Sequence, residues 1–323
     1  MTPNAQSIRS KSIKIPDLST LTIVILIVGL FIALSLSTKT FLSYSNIYSI
    51  VFGVSFQFFA LIGFTYLIIM GEIDLSIGAV YGFAGAFLGI LVTTLNMPFV
   101  PALFLTLAVA SLIGFANGFL VVRYGLNSMM VTIGMMAVLR GLISIMIGIL
   151  GAQMFPPVYR NFIKFKIFGI HWSIIVFVIL VVVLEILLQR TSLFQRMYYI
   201  GHNINTARIY GVQTGRIKTL TFLISGLTAG FGGILATSRI THAFPTIGVG
   251  MEFTVVTAAV LGGASLYGGR GSLLKFALGL MFLAIVQNGM IIFGIDPYYQ
   301  QVFMGVVLIV AIFVDTRLGT KKA

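Results

Sequence analysis

Cysteine is absent from this chain of 323 residues. Its absence excludes disulfide bonds, thiolate metal ligands and cysteine nucleophiles. Charged residues are also scarce, at 8% of the chain, whereas a soluble domain has about 25%. Hydrophobic residues make up 59%, and no stretch is polar enough to form a separate soluble domain. The composition therefore predicts an all-α integral membrane protein, built as one polytopic helical bundle.

Motifs for catalysis are missing as well. No Gly-x-x-x-x-Gly-Lys-Ser/Thr run occurs, so the chain does not bind ATP through a P-loop. The three histidines, His171, His202 and His242, lack the paired spacing of a metal site, and no Ser/His/Asp cluster suggests a nucleophile. We therefore predict a protein that is not an enzyme and holds no metal or cofactor of its own.

Ten apolar segments approach the length of about 20 residues with which a helix crosses a membrane. Their limits are approximately 20–37, 46–70, 74–93, 98–122, 127–150, 172–189, 218–238, 252–267, 272–293 and 297–315. The first is longer than the apolar region of a signal peptide, and no small-residue cleavage site follows it, so we expect it to be retained. The predicted organisation is a tail at 1–19, a membrane domain at 20–316 and a tail at 317–323.

Lysine and arginine are distributed unevenly between the two sets of loops. With the N-terminus in the cytoplasm, most of the 20 basic residues lie on the inner side, and the opposite orientation reverses this bias. Because cytoplasmic loops favour Lys and Arg, both termini are predicted to be cytoplasmic. We attribute the net charge of +13 to this topology and to contact with membrane lipid, not to nucleic acid.

The eighth segment is short and broken by glycines. Its apolar run at 253–261 is followed by paired glycines at 262–263 and by a second glycine cluster at 268–271. Paired glycines favour turns and close backbone approach. We therefore predict a broken or short helix near 252–267, packed in protein or lining a cavity. A slightly short spanning helix with a tight turn is the alternative.

The two halves of the chain resemble each other at a few positions. An Asn-Gly pair precedes a new span at 117–118 and again at 288–289. Likewise, Glu72 precedes the third span and Glu252 the eighth. Copies that are offset by five spans have opposite orientations, which predicts an inverted pseudo-repeat. The similarity involves few residues, and chance is the alternative.

Four segments resemble a known family. They are GEIDLSIG at 71–78, NGFLVVRYGLNSMMVTIGMMAVLRG at 117–141, IGHNINTARIYGVQTGRIKTLTFLISGLTAGFGGILATSR at 200–239 and IGVGMEFTVVTAAVLGGASLYGGRGS at 247–272. In this order, and over roughly 41–315, the chain is similar to the membrane permease of ribose-type ABC sugar importers. The motifs are specific for the family and much less so for the sugar.

The resemblance implies a permease subunit that moves a monosaccharide, a pentose or hexose, inward across a bacterial cytoplasmic membrane by alternating access. It implies three partners: an ABC ATPase subunit that binds the ATP, an extracytoplasmic sugar-binding protein, and a second permease chain, identical or paralogous. A permease for a nucleoside or a sugar-like signal is one alternative. An ion-coupled secondary transporter is another, but it would need a carboxylate in mid-membrane, and the seven acidic residues lie nearly all near span ends.

The basic connection at 190–217 contains the sequence NINTARIYG at 203–211. On a helix, Ile204, Ala207 and Gly211 fall on one side, which suits docking into a groove on a partner. In the family that the chain resembles, this loop contains the coupling helix that sits in the ATPase subunit. The residues with this implied coupling role are Asn203, Thr206, Ala207, Arg208 and Gly211. A solvated basic loop near the lipid headgroups is the alternative.

Five polar residues are candidates for pathway or structural roles: Asp74, Asn117, Arg140, Glu252 and Asn288. Asp74 is expected to cap the third span, with proton coupling as the alternative, and Glu252 is similarly placed at the eighth. Arg140 lies well inside its span, and either a structural pair or the solute pathway would accommodate its charge. Asn117 and Asn288 favour hydrogen bonds between helices over contacts with sugar hydroxyls.

Two further acidic residues have plainer explanations. Glu72 stands where the family usually has glycine, so it is either a subfamily feature or simply exposed. Glu185 lies near the inner end of its span, close to Arg190, and we expect its carboxylate to snorkel towards water.

Overall fold

The computed structural model describes residues 18–150 and 154–319, with side chains for 20–149 and 154–313. Residues 1–17 and 320–323 of the two predicted tails lie outside the described residues. The described part consists of helices and one short antiparallel hairpin. The elements are α1 (Leu18–Ser37), α2 (Tyr44–Ile69), α3 (Ile77–Thr93), α4 (Phe99–Tyr124), α5 (Ser128–Leu150), α6 (Pro157–Lys164), β1 (Lys166–Ile167), β2 (Ile170–His171), α7 (Trp172–Arg190), α8 (Ser192–His202), α9 (Ile204–Ile209), α10 (Thr214–Ile240), α11 (Met251–Leu261), α12 (Leu273–Ile292) and α13 (Pro297–Gly319).

Every predicted span corresponds to a helix, so the all-α membrane fold predicted from the sequence is confirmed. In the described residues, 7 helices are long and apolar enough to cross a membrane, and α3, α11 and the apolar part of α13 are shorter apolar helices. Two starting points differ from the prediction by three residues or more. Helix α3 begins at Ile77 rather than at 74, because an irregular segment precedes it, and α10 begins at Thr214 rather than at 218.

The connection between α5 and α7 contains structure that the sequence did not predict. Helix α6 begins at Pro157, whose fixed φ suits the first turn of a helix, and it buries Tyr159 and Ile163. The hairpin β1–β2 turns at Phe168 and Gly169, which both have positive φ, as a type I′ turn requires. We call the side of the bundle with this hairpin the hairpin face, and the opposite side, with α8 and α9, the α9 face.

Helix α11 is too short to cross a bilayer. Its 11 residues rise about 16 Å, roughly half of the ~30 Å hydrocarbon thickness. It begins after Gly250, which has a φ of 79°, and ends at Leu261. From Gly262 to Ser272 the chain is irregular. The short, interrupted helix predicted near 252–267 is confirmed. The alternative of a slightly short spanning helix is wrong, because the second half of the segment is loop.

Helix α10 lies at the centre of the bundle, where it packs against α2, α3 and α4. A Cβ atom at Gly233 would stand 1.8 Å from the carbonyl oxygen of Tyr81 in α3, and one at Gly226 would stand 2.2 Å from that of Ala110 in α4. The backbones therefore touch at these positions, and only glycine fits. This close approach explains how a helix of 27 residues can contact three neighbours at once.

The pairing of helices repeats between the two halves of the chain. Helix α10 packs against α3 and α4, and its counterpart α2 packs against α11 and α12. Likewise, α3 packs against α5, and α11 packs against α13. Contacts that recur after a shift of five spans are what an inverted pseudo-repeat requires, and they support that prediction.

A glycine-to-alanine pair tests the close packing of α10. We expect Gly233→Ala to lower the free energy of unfolding by about 1–3 kcal/mol, because its methyl group would overlap the backbone of α3. Gly141→Ala in α5 is the matched control, since a Cβ atom there meets nothing within 4 Å and alanine favours a helix by up to about 1 kcal/mol. Thermal unfolding in detergent measures both, and equal Tm values for the two variants would contradict the packing.

Candidate functional site

An irregular stretch at 70–76, which we call the pre-α3 segment, separates α2 from α3. Backbone N–H and C=O groups outside a helix need partners wherever water is excluded. Two side chains of α5 supply them. The hydroxyl of Ser128 accepts a bond from the N–H of Ile73 at 3.3 Å, and that of Thr132 accepts one from the N–H of Leu75 at 3.0 Å. Helix α5 thus replaces the hydrogen bonds that a continuous helix would have made.

Asp74 lies within this segment and is only 1% exposed. Its Oδ1 accepts bonds from the backbone N–H of Ser76 at 2.9 Å and from the Ser76 hydroxyl at 2.6 Å. Its Oδ2 accepts a bond from the hydroxyl of Ser225 in α10 at 3.1 Å. The cap residue of α3 is Ser76, so Asp74 caps the turn before the helix and not the helix itself. Its carboxylate ties the pre-α3 segment to α10.

Asn117 joins this cluster from α4. It is fully buried, and its Nδ2 donates to the hydroxyl of Ser76 at 2.9 Å. Its Oδ1 has no hydrogen-bond partner among the described residues. Asp74 and Asn117, which are 43 positions apart, are therefore brought together through Ser76, and the cluster links α3, α4 and α10.

Glu72 forms an ion pair with Lys218 in the first turns of α10. Both side chains are largely buried, with exposures of 12% for Glu72 and 14% for Lys218. Of the two alternatives for Glu72, simple exposure is therefore wrong, and a subfamily feature stays a prediction. The pair borders a polar cavity of about 380 Å³ on the α9 face, which Arg208 and Asn127 also line.

Arg140 and Glu252 also meet, on α5 and α11. The guanidinium donates to the carbonyl oxygens of Ile247 at 2.9 Å and Gly248 at 2.7 Å, and it lies 3.9 Å from the Glu252 carboxylate. Glu252 is 5% exposed and accepts a bond from the N–H of Gly250, the residue that caps α11. The arginine therefore holds the turns that precede α11 against α5. A pathway role for Arg140 stays a prediction.

Asn288 lies apart from the Asp74–Asn117 cluster and from the Arg140–Glu252 pair, and its side chain pairs with that of Asn46. The Nδ2 of Asn46 donates to the Oδ1 of Asn288 at 3.0 Å, and the Nδ2 of Asn288 donates to the Oδ1 of Asn46 at 2.7 Å. This reciprocal pair joins α12 to α2. The structure thus shows Asn288 in a hydrogen bond between helices, which is the use that the sequence favoured.

Glu185 does not snorkel, contrary to the sequence-based expectation. Its Oε1 accepts a bond from the hydroxyl of Ser272 at 2.9 Å, and its Oε2 accepts one from the N–H of Leu274 at 3.1 Å. Those two residues begin α12, so a carboxylate on α7 caps the start of another helix. This role was missed because Arg190, a neighbour in the sequence, offered a simpler partner.

The short helix in the basic connection is present as α9. Asn203 caps it, and its Oδ1 accepts bonds from the N–H groups of Asn205 at 2.9 Å and Thr206 at 3.0 Å. Ala207 is buried at 3% exposure, so one side of α9 packs inward. The helix ends at Ile209, and Gly211 follows it with a φ of 75°. The expectation that Gly211 shares a helical face with Ala207 is therefore wrong.

Helix α8 rests on the glycine-rich loop between α11 and α12. A Cβ atom at Gly201 would stand 2.0 Å from the carbonyl oxygen of Ile69, which itself accepts a bond from the N–H of Gly269 at 2.8 Å. The hydroxyl of Tyr198 donates to the carbonyl oxygen of Gly271 at 2.8 Å. The loop therefore supports the segment that leads into α9.

An aromatic and cationic group occupies the hairpin face. The guanidinium of Arg239, at the end of α10, lies 5.0 Å from the ring centroid of Phe52, and the ring of His171 stacks on the same phenylalanine at 4.1 Å. Burial, with the positive charges of Lys166 and Arg239, holds the pKa of His171 below its usual range. The neutral ring can therefore accept a bond from the hydroxyl of Tyr48, 2.6 Å from its Nδ1.

None of these clusters has the composition of a metal site. Among the described residues, no three His, Cys, Asp or Glu side chains come close enough together to hold a metal ion. The acidic residues instead cap helices or pair with a cation. What the arrangement provides is a set of contacts that hold irregular segments between helices.

Comparison with known proteins identifies the family. A family model described as the permease component of branched-chain amino acid transport systems matches residues 46–312. The chain belongs to this permease family. No match to a solved structure is found.

Individual relatives resemble the chain over most of its length. The D-allose transport system permease protein AlsC of Escherichia coli (strain K12) is 31% identical over 285 residues, which cover 88% of this chain and 87% of that protein. The ribose import permease protein RbsC of Bacillus subtilis (strain 168) is 31% identical over 301 residues, or 90% and 91%. The L-arabinose ABC transporter permease protein AraH of Azospirillum brasilense is 29% identical over 309 residues, or 91% and 86%. The resemblance to ribose-type permeases is thus confirmed.

Substitutions of Asp74 distinguish its structural role from proton coupling. Asp74→Asn can keep the bonds from Ser76 through its oxygen and donate to Ser225, so we expect a folded protein that retains uptake. Asp74→Ala leaves the buried donors of Ser76 without an acceptor, and we expect a loss of about 1–3 kcal/mol per donor in the free energy of unfolding. Thermal unfolding and solute uptake are measured for both. A folded Asp74→Asn variant without uptake would instead indicate proton coupling.

Proposed function

We propose that the chain is the membrane-spanning permease subunit of an ABC importer that moves a monosaccharide into a bacterial cell. The observation that carries the proposal is the similarity to permeases named for D-allose, ribose and L-arabinose, which extends over about nine tenths of the chain. All three solutes are monosaccharides. The chain itself has no P-loop, so a partner ATPase would bind and hydrolyse the ATP.

The α9 face supplies a surface for that ATPase. Ile209 and Tyr210, at the end of α9, are 83% and 81% exposed. Beside them, residues of α8 and α9 line a mostly apolar cavity of about 650 Å³. Exposed apolar groups on a short helix, itself fixed by the Asn203 cap and by buried Ala207, suit insertion into a groove on a partner. The proposed coupling segment is therefore α9 with the residues that flank it.

The remaining parts of the proposal follow from charge and family. The excess of Lys and Arg in alternate loops supports an orientation with the α9 face and both termini in the cytoplasm. The hairpin face would then meet an extracytoplasmic sugar-binding protein. A second permease chain, identical or paralogous, would complete the pathway, and ATP binding would drive alternating access.

Purification in mild detergent, followed by mass spectrometry, tests the assignment. We expect a P-loop ATPase and a soluble binding protein to accompany the chain, and uptake of labelled ribose, allose or arabinose to stop on ATP depletion. A nucleoside bound to the recovered binding protein would change the solute but not the class. Recovery of the chain alone, with uptake abolished by ionophores and not by ATP depletion, would overturn the ABC assignment.

Two exposed tyrosines at opposite ends of the bundle test the docking surface. Tyr210→Ala should remove an apolar contact with the ATPase and lower its recovery about tenfold, the effect of losing ~1.4 kcal/mol of binding free energy. Tyr298→Ala, at the start of α13, is the control, since that side chain is 78% exposed but lies on the hairpin face. Quantitative co-purification is the measurement, and equal recovery with both variants would count against α9 as the docking segment.

A further inference from the structure

Helix α10 holds the pre-α3 segment at two points. Lys218 pairs with Glu72, and Ser225 donates to Asp74. Residues seven apart lie on the same side of a helix, separated by about 10 Å along its axis. A segment bound at two points along one helix must follow that helix when it slides or tilts, unless one of the bonds breaks.

The first of these two points lies close to α9. The link between α9 and α10 is only four residues long and is internally bonded: the N–H of Val212 donates to the carbonyl oxygen of Ala207 at 3.0 Å. The Nε of Arg208 donates to the hydroxyl of Thr214 at 3.3 Å, and Thr214 is buried. Lys218 follows one turn later. A displacement of α9 is thus transmitted to the start of α10 without a flexible linker between them.

We propose that the Glu72–Lys218 ion pair couples movement of α9 to the pre-α3 segment, and so to the entry of α3. This inference rests on the proposed function, in which an ATPase moves α9. Glu72 and Lys218 are positioning residues: neither needs to touch the solute. When α9 shifts, the pair shifts the pre-α3 segment with it. Ser128, Thr132 and Ser225 hold the same segment through hydrogen bonds.

The surroundings of the pair suit this role better than a purely stabilising one. A largely buried ion pair contributes little net stability, because the desolvation of both charges offsets their attraction. The adjoining polar cavity of about 380 Å³ leaves room for the two side chains to shift together.

Four variants separate coupling from stability. Glu72→Gln and Lys218→Met each remove one charge and leave the other unpaired. The double variant E72Q/K218M removes both charges, and the exchange E72K/K218E restores a pair with reversed polarity. Arg216→Met is the matched control, because Arg216 lies on the same first turns of α10 but is exposed, and its guanidinium donates to Gln213 at 2.9 Å rather than to the pre-α3 segment.

The measurement is the number of solute molecules transported per ATP hydrolysed, in vesicles that contain the chain with its co-purified ATPase and binding protein. We expect each single variant to lower this ratio at least about fivefold, the lower range of a typical coupling free energy. E72Q/K218M should recover the wild-type Tm, since no unpaired charge is buried, but not the ratio. The exchange should recover part of the ratio, and Arg216→Met should leave it unchanged.

Two outcomes would overturn the inference. One is an unchanged ratio in both single variants. The other is a double variant E72Q/K218M that recovers the ratio together with the Tm, which would make the pair structural only. Failure of the proposed function is seen separately and earlier, because the wild-type chain would then show no ATP-dependent transport.

Discussion

Irregular backbone inside an apolar bundle must find hydrogen-bond partners, and this requirement governs the structure. The pre-α3 segment and the turns before α11 both interrupt helices within the bundle. Hydroxyls of α5 bind the N–H groups of the first, and the guanidinium of Arg140, also on α5, binds two carbonyl oxygens of the second. Helix α5 therefore stabilises both interruptions: it accepts hydrogen bonds from the pre-α3 segment and donates hydrogen bonds to the turns before α11.

The same requirement explains where the few acidic residues lie. Each acidic residue in the described membrane domain before α12 lies at an interruption or a helix start, where backbone N–H groups or a cation compensate its burial. Asp74 accepts bonds from Ser76, the residue before α3, and Glu185 accepts one from the N–H of Leu274 in the first turn of α12. Glu72 and Glu252 lie beside Lys218 and Arg140. Such groups are costly to bury unless bonded, so a chain with few of them uses each where the backbone needs one.

Local patterns were sufficient to predict helices and their breaks, but not the partners of single side chains. The apolar runs predicted ten helices, and the paired glycines predicted the interruption after α11. Both signals could be recognised because each consists of neighbouring residues in the sequence. Glu185 and Ser272 are 87 positions apart, and Glu72 and Lys218 are 146 apart. Helix α6 was missed because its amphipathic pattern spans only two turns. Helix α9 ended earlier than expected because Gly211 follows its cap in the left-handed conformation, a common stop signal that the sequence-based interpretation did not use.

Helix α10 connects the Glu72–Lys218 ion pair near α9 with the aromatic and cationic group on the hairpin face. Its first turns hold Lys218 beside α9, and its last turn holds Arg239 over Phe52 on the hairpin face, about 32 Å away at 1.5 Å per residue. If both faces bind the proposed partners, a rigid helix between them makes the two affinities interdependent, and such dependence is thermodynamically mutual. If ATP in a partner alters how the hairpin face binds a solute carrier, the arrival of that carrier must alter ATP affinity by the same factor. The closely packed glycines of α10 prevent this helix from bending independently of its neighbours. They are therefore as relevant to coupling between the two faces as to folding.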